Sequence, residues 1–151
     1  MVKINFDGAN FSETNTSGIG VNVRDSAGNV LASMSQQLRQ AYSAKEIETV
    51  AVCKALQFAF DIGIRVAVLE GDLQILMKRL GESVEVLSYS GALLNDVGRC
   101  SSFYNQLCYF HVKREDNKVT YKFASMLNIF LTLLCKERMF HGIVYLSYKL
   151  I

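Results

Sequence analysis

The chain has 151 residues, half of them apolar and a fifth charged, which suits one domain with a real core and argues against two. Its formal net charge of +2 is too small to announce a nucleic-acid binder and does not exclude one, because only a local basic patch would count. Four cysteines, Cys53, Cys100, Cys108 and Cys135, include no CxxC pair, which argues against a structural zinc site and for reduced thiols in an intracellular protein.

The first residues alternate polar and apolar and contain no apolar h-region, so no secretory signal is expected. The expected location is the nucleus or cytoplasm. Val2, Ile4 and Phe6 alternate with Lys3, Asn5 and Asp7, the pattern of a half-buried strand. Gly8 through Gly18 is small and polar and reads as a turn and loop. A second strand follows on Ile19, Val21 and Val23, then a turn at Asp25–Asn29, then a third strand from Val30 to Leu38. Such short connections predict an antiparallel meander.

Ser43 with Glu46 three residues later forms a capping box opening a helix that Gly63 closes. At ~100° per residue, Glu48 falls on the same arc as Ala44, Ala51, Val52, Ala55, Ala59 and Ile62, with Glu46, Lys54, Gln57 and Asp61 opposite. An acid on the core-facing arc needs a basic partner, a raised pKa or a metal ion. Val66–Leu69 is a continuous apolar run expected of an inner strand covered on both faces. Helices are predicted at about Leu73–Leu80 and Gly91–Ser102, a fifth strand at Leu107–Val112, and a last helix near Lys118 capped by Asn117.

The strand–helix–strand connection adds parallel strands to the meander. The predicted fold is α/β, with a five-stranded mixed sheet, three antiparallel strands then parallel ones, flanked by helices. Residues 1–125 form the domain and 126–151 an apolar C-terminal extension, read as an extra packed helix and strand. Its apolar runs are far short of the ~20 residues of a membrane span, so no span is expected.

Three acids sit where acids are awkward: Asp7 before Gly8 on the first strand, Glu48 on the core arc, and Asp72 after Gly71 at the end of the inner strand. Singly, these are ordinary as a turn residue, a buried partner for an arginine and a helix cap. Jointly, clustered carboxylates repel one another unless a cation lies between them. Oxygen-only donors suit Mg²⁺ or Mn²⁺, the apparatus of phosphodiester cleavage.

Val2–Ala9, Gly18–Gly28, Glu48-Thr49-Val50-Ala51 with Ala55-Leu56, Glu70-Gly71-Asp72, and His111–Val119 together resemble the plant ribonuclease H-like domain, also called reverse-transcriptase-like, found in retroelement-derived proteins. The resemblance covers about Val2 to Ala124 and implies the ribonuclease H-like fold and metal-dependent endonucleolytic hydrolysis of the RNA strand of an RNA–DNA hybrid. It implies two Mg²⁺ (or Mn²⁺) ions, with Asp7 bridging them and Glu48 and Asp72 completing the first site.

Where the family pattern places a fourth acid, four residues after Asn117, this chain has Tyr121. A phenol is neutral near pH 7 and a poor ligand for Mg²⁺, so the two-ion site is expected to be reduced towards one and the activity weakened. Substrate contacts are expected from Gly8, Ala9, Arg24, Lys113, Arg114 and Asn117, with Lys3 and Arg39 as further basic candidates. The partner is an RNA–DNA hybrid, or double-stranded RNA, and the chain is expected to act as a monomer. The alternatives are a non-catalytic nucleic-acid-binding remnant and a protein-interaction module using the apolar tail.

Overall fold

The computed structural model describes residues 1–72, 89–113 and 143–146. Strands β1 (Val2–Phe11), β2 (Thr16–Arg24) and β3 (Val30–Leu38) form the antiparallel meander, followed by α1 (Ala44–Asp61), β4 (Val66–Gly71), α2 (Tyr89–Ser101), β5 (Gln106–His111) and β6 (Ile143–Leu146). The sheet order is β5-β4-β1-β2-β3-β6. β4 runs parallel to both β1 and β5, so the five-stranded mixed sheet is as expected. Within the apolar tail, β6 adds a sixth, antiparallel strand along β3, with Ser33 opposite Leu146 and Gln36 opposite Ile143. The predicted helices at 73–80 and near Lys118 lie outside the described residues.

The loop expected from Gly8 to Gly18 is instead mostly strand. β1 and β2 stay paired through Gly8/Ile19, Ala9/Gly18, Asn10/Ser17 and Phe11/Thr16, leaving a turn of Ser12–Thr14 and Asn15 in the left-handed region at φ 50°. Small residues resemble a loop in sequence, but here they serve close approach. A Cβ on Gly8 would lie 2.9 Å from Ile47 Cγ1 and 3.0 Å from the Ile47 carbonyl carbon and oxygen. Helix α1 rests directly on the β1 backbone at that point.

Alternation divides the sheet into two faces. Ile4, Phe6, Ile19, Val21, Val23, Met34, Ala67 and Leu69 share one register face and are buried in the same cluster as Ile47, Ala51, Val52, Ala55, Leu56 and Ala59 of α1. Each large side chain there contributes about 1.5–3 kcal/mol of transfer free energy. The opposite face is polar yet buried at its centre, with Asn5, Asn22, Ser33 and Ser35 and a hydrogen bond from Ser33 Oγ to Asn22 Oδ1 at 2.9 Å.

The α1 start follows its sequence signal. Ser43 Oγ accepts from the Glu46 N–H, and Glu46 Oε2 accepts from the Ser43 N–H at 2.9 Å. The expected arc is too long at both ends: Ala44 is exposed, and Ile62, the C-cap, is 42 % exposed. It is also too narrow, since Ile47, Leu56 and Phe58 are buried as well. Ile47 is seated against Gly8 of β1, and α1 packs against α2 in addition to the sheet. Gly63, at φ 91°, reverses the chain, donating its N–H to the Phe60 carbonyl at 3.0 Å. In β4, Ala67 and Leu69 are fully buried while Val66 is 40 % exposed, so the run is an inner strand whose first residue remains open to solvent.

Gly8→Ala should destabilise the fold by about 1–3 kcal/mol, because its new methyl meets backbone of α1 as well as a side chain. Ser43→Ala, which removes only the cap, should cost about 1 kcal/mol. Urea unfolding midpoints of the two variants beside the parent measure both.

Candidate metal centre

The paired register of β1 and β4 ends at Asn5 opposite Glu70. Continued along both chains, it sets Asp7 opposite Asp72. At this level β1 is still paired with β2, through Asp7 and Gly20, while β4 stops at Gly71, so a gap opens beside Asp7. Glu48 enters it from above. Its neighbour Ile47 is seated on Gly8, which delivers the Glu48 carboxylate to the same place. One oxygen from each of Asp7, Glu48 and Asp72 lies within 4.8 Å of the others. Asp7 and Glu48 are buried, Asp72 half-buried.

Burial is the first cause of an unusual acid here. The Glu48 carboxyl is pushed up to about 9 by its removal from water, then by the Asp7 and Asp72 charges and a hydrogen bond shared with Asp7, against the opposing Gly8 backbone N–H. Even so, Glu48 Oε2 is buried without a hydrogen-bond partner. An oxygen left in that state costs on the order of 1–3 kcal/mol, and that cost is relieved by a cation at the same point. All the donors are oxygens, so the residues fit a hard divalent ion such as Mg²⁺ or Mn²⁺.

The acid two residues before Asp72 is handled differently. Glu70 is buried, but Lys3 Nζ lies 2.9 Å from its Oε1 and Arg24 Nη2 3.5 Å from its Oε2, and Asn5 Nδ2 donates to Oε2 at 3.1 Å. Arg24 also donates to Asn5 Oδ1 through Nε and Nη2. Arg24, an expected substrate contact, is thus held against the sheet by Asn5 and Glu70, which lie two residues before Asp7 and Asp72 respectively.

Gly8 lies under α1, and Ala9 is half-buried next to it. Lys113 is exposed just past β5, on the side where Val112 N–H donates to the Gly71 carbonyl at 2.9 Å. Arg114, Asn117 and Tyr121 lie outside the described residues. Two features were missed in the sequence. The Lys3–Asn5–Arg24–Glu70 network was hinted at only by polar residues alternating with core ones. The approach of His111 Nε2 to the Asp72 carbonyl oxygen at 3.1 Å depends on the β4–β5 register and had no local signal.

A family model described as reverse transcriptase-like matches residues 5–127. Among solved structures, ribonuclease H1 from the halophilic archaeon Halobacterium salinarum is 21 % identical, with a TM-score of 0.75 over 83 % of this chain and 95 % of that one. The N-terminal ribonuclease H domain of a Mycobacterium tuberculosis protein, solved as a fusion with maltose-binding protein, is 20 % identical, with a TM-score of 0.73 over 89 % and 96 %. A ribonuclease H1 isolated from compost by a metagenomic approach, solved in complex with an RNA/DNA hybrid, is 18 % identical, with a TM-score of 0.73 over 83 % and 94 %. These likenesses establish the ribonuclease H-like fold. No curated protein matches in sequence. Among the described residues, no helix is long and apolar enough to cross a membrane.

The raised Glu48 pKa has a signed consequence. Between the ordinary carboxylate value of 4.5 and about 9, the unfolded chain releases a proton that the folded metal-free protein keeps. The folded state binds more protons, so stability falls as pH rises through that window. Metal-free protein should therefore melt at a lower temperature at pH 8 than at pH 5.5, Glu48→Gln should flatten that trend, and added Mg²⁺ should restore stability at pH 8. Calorimetry of parent and variant across pH, with and without the ion, measures all three.

Proposed function

The chain belongs to the reverse transcriptase-like family, and on that premise we propose that it is a metal-dependent endoribonuclease of ribonuclease H type, cutting the RNA strand of an RNA–DNA hybrid. The observation that carries this is the meeting of Asp7, Glu48 and Asp72 within 4.8 Å, with a buried Glu48 oxygen lacking a partner. Asp7, Glu48 and Asp72 would hold the ion, with Asp7 as the member shared with any second ion. When bound, such ions activate an attacking water and stabilise the leaving 3′ oxygen of a phosphodiester.

The rest of the work falls to the chain. Burial of Asp7 and Glu48 limits the water around the carboxylates and sharpens their pull on a cation. The Gly8 N–H donates to Asp7 Oδ1 at 2.9 Å, which fixes that carboxylate against the backbone. Exposed Lys113 would meet a phosphate, with Gly8 and Ala9, next to Asp7 in the chain, as further contacts. Recognition of a hybrid rests on its groove shape and 2′-hydroxyls, so no base-sequence preference is expected. With Tyr121 at the fourth acidic position of the family pattern, a second ion has one carboxylate fewer, and the activity is correspondingly weakened.

A labelled RNA–DNA hybrid incubated with increasing Mg²⁺ or Mn²⁺ tests this. Cleavage confined to the RNA strand, favoured by Mn²⁺, is expected. Asp7→Asn should lower the rate by more than about a hundredfold, since even loss of a group behind a metal ligand typically costs 10–100-fold, and Tyr121→Asp should raise it. Equal rates for parent and Asp7→Asn would remove the assignment. Salt-sensitive hybrid binding with no cleavage at any Mn²⁺ concentration would identify a non-catalytic remnant instead.

A further inference from the structure

Asp72 follows Gly71 and lies past the last β1–β4 pair, Asn5 with Glu70. On the other flank, pairing runs further, to Gly71 opposite His111. Two donors, one at the end of β5 and one just past it, then meet consecutive carbonyls: the Val112 N–H reaches the Gly71 oxygen at 2.9 Å, and His111 Nε2 lies 3.1 Å from the Asp72 oxygen. A carbonyl oxygen only accepts, so the contact requires the proton on Nε2.

We propose that His111 is a positioning residue, holding the Asp72 peptide from the β5 side so that its carboxylate reaches across to Asp7 and Glu48. The inference rests on the metal centre proposed above. The imidazole acts through the backbone of a metal-binding residue and touches neither ion nor substrate. A side chain on β5 thereby tunes a site whose ligands come from β1, α1 and the end of β4.

Isothermal titration of the full chain with Mg²⁺ alone, beside its thermal melting temperature, provides the test. His111→Ala should weaken Mg²⁺ binding roughly tenfold, at the lower end of what loss of a group behind a metal ligand does. Its melting temperature without metal should barely change, because the side chain is exposed. His111→Gln, whose amide Nε2 can donate to the same carbonyl, should recover most of the affinity. Parental affinity in His111→Ala, or weakened affinity that His111→Gln fails to recover, overturns the positioning role while leaving the metal centre intact. Loss of melting temperature without loss of affinity marks a merely structural contact and overturns it too. If the parent binds no Mg²⁺ and Asp7→Asn is indistinguishable from it, the metal centre and this inference fall together.

Discussion

The contact of α1 with the β1 backbone at Gly8 is the constraint on which the rest of the structure depends. A side chain at Gly8 would collide with Ile47, and the space it leaves vacant is what allows the helix to lie low on the sheet. Ile47 then fills the core, and Glu48, one residue on, is carried into the gap between β1 and the end of β4. The same contact thus sets core packing and carboxylate geometry, so the two cannot be tuned separately.

The acids of β1 and β4 illustrate two solutions to one electrostatic problem. Glu70 is buried and is balanced by Lys3, Arg24 and Asn5; it works as a tie across the sheet. Two residues on, past the end of β4, the acids are gathered on one another, and burial first, then the charges of Asp7 and Asp72, push the Glu48 carboxyl up. Ionic networks that exist for stability are satisfied within the protein. Groups crowded with like charge and left with an unpartnered oxygen are typical of sites that bind something.

The polar face of the sheet has a further consequence. Among the described residues, Arg24 is engaged by Asn5 and Glu70 and through them ties β2 to β1 and β4, while Lys113 is exposed just past β5.

Much was legible in the sequence because it is encoded locally. Alternating Val2, Ile4 and Phe6, the Ser43–Glu46 capping box and Gly63 specify strands and a helix by short-range physics. The oddity of Glu48 on an apolar arc was likewise visible from periodicity alone. The loop read from Gly8 to Gly18 failed because small residues look like a turn until the approaching helix is known. The family resemblance already grouped Asp7, Glu48 and Asp72, but how they meet, and which acid is neutralised, was decided only by tertiary structure. Asp7, Glu48 and Asp72 are joined by a strand register and a helix contact, and Glu70 is separated from them by two cations that the same register brings beside it. Long-range pairing has no signature in the spacing of residues along a chain, so the sequence could name the acids and only the fold could assemble them.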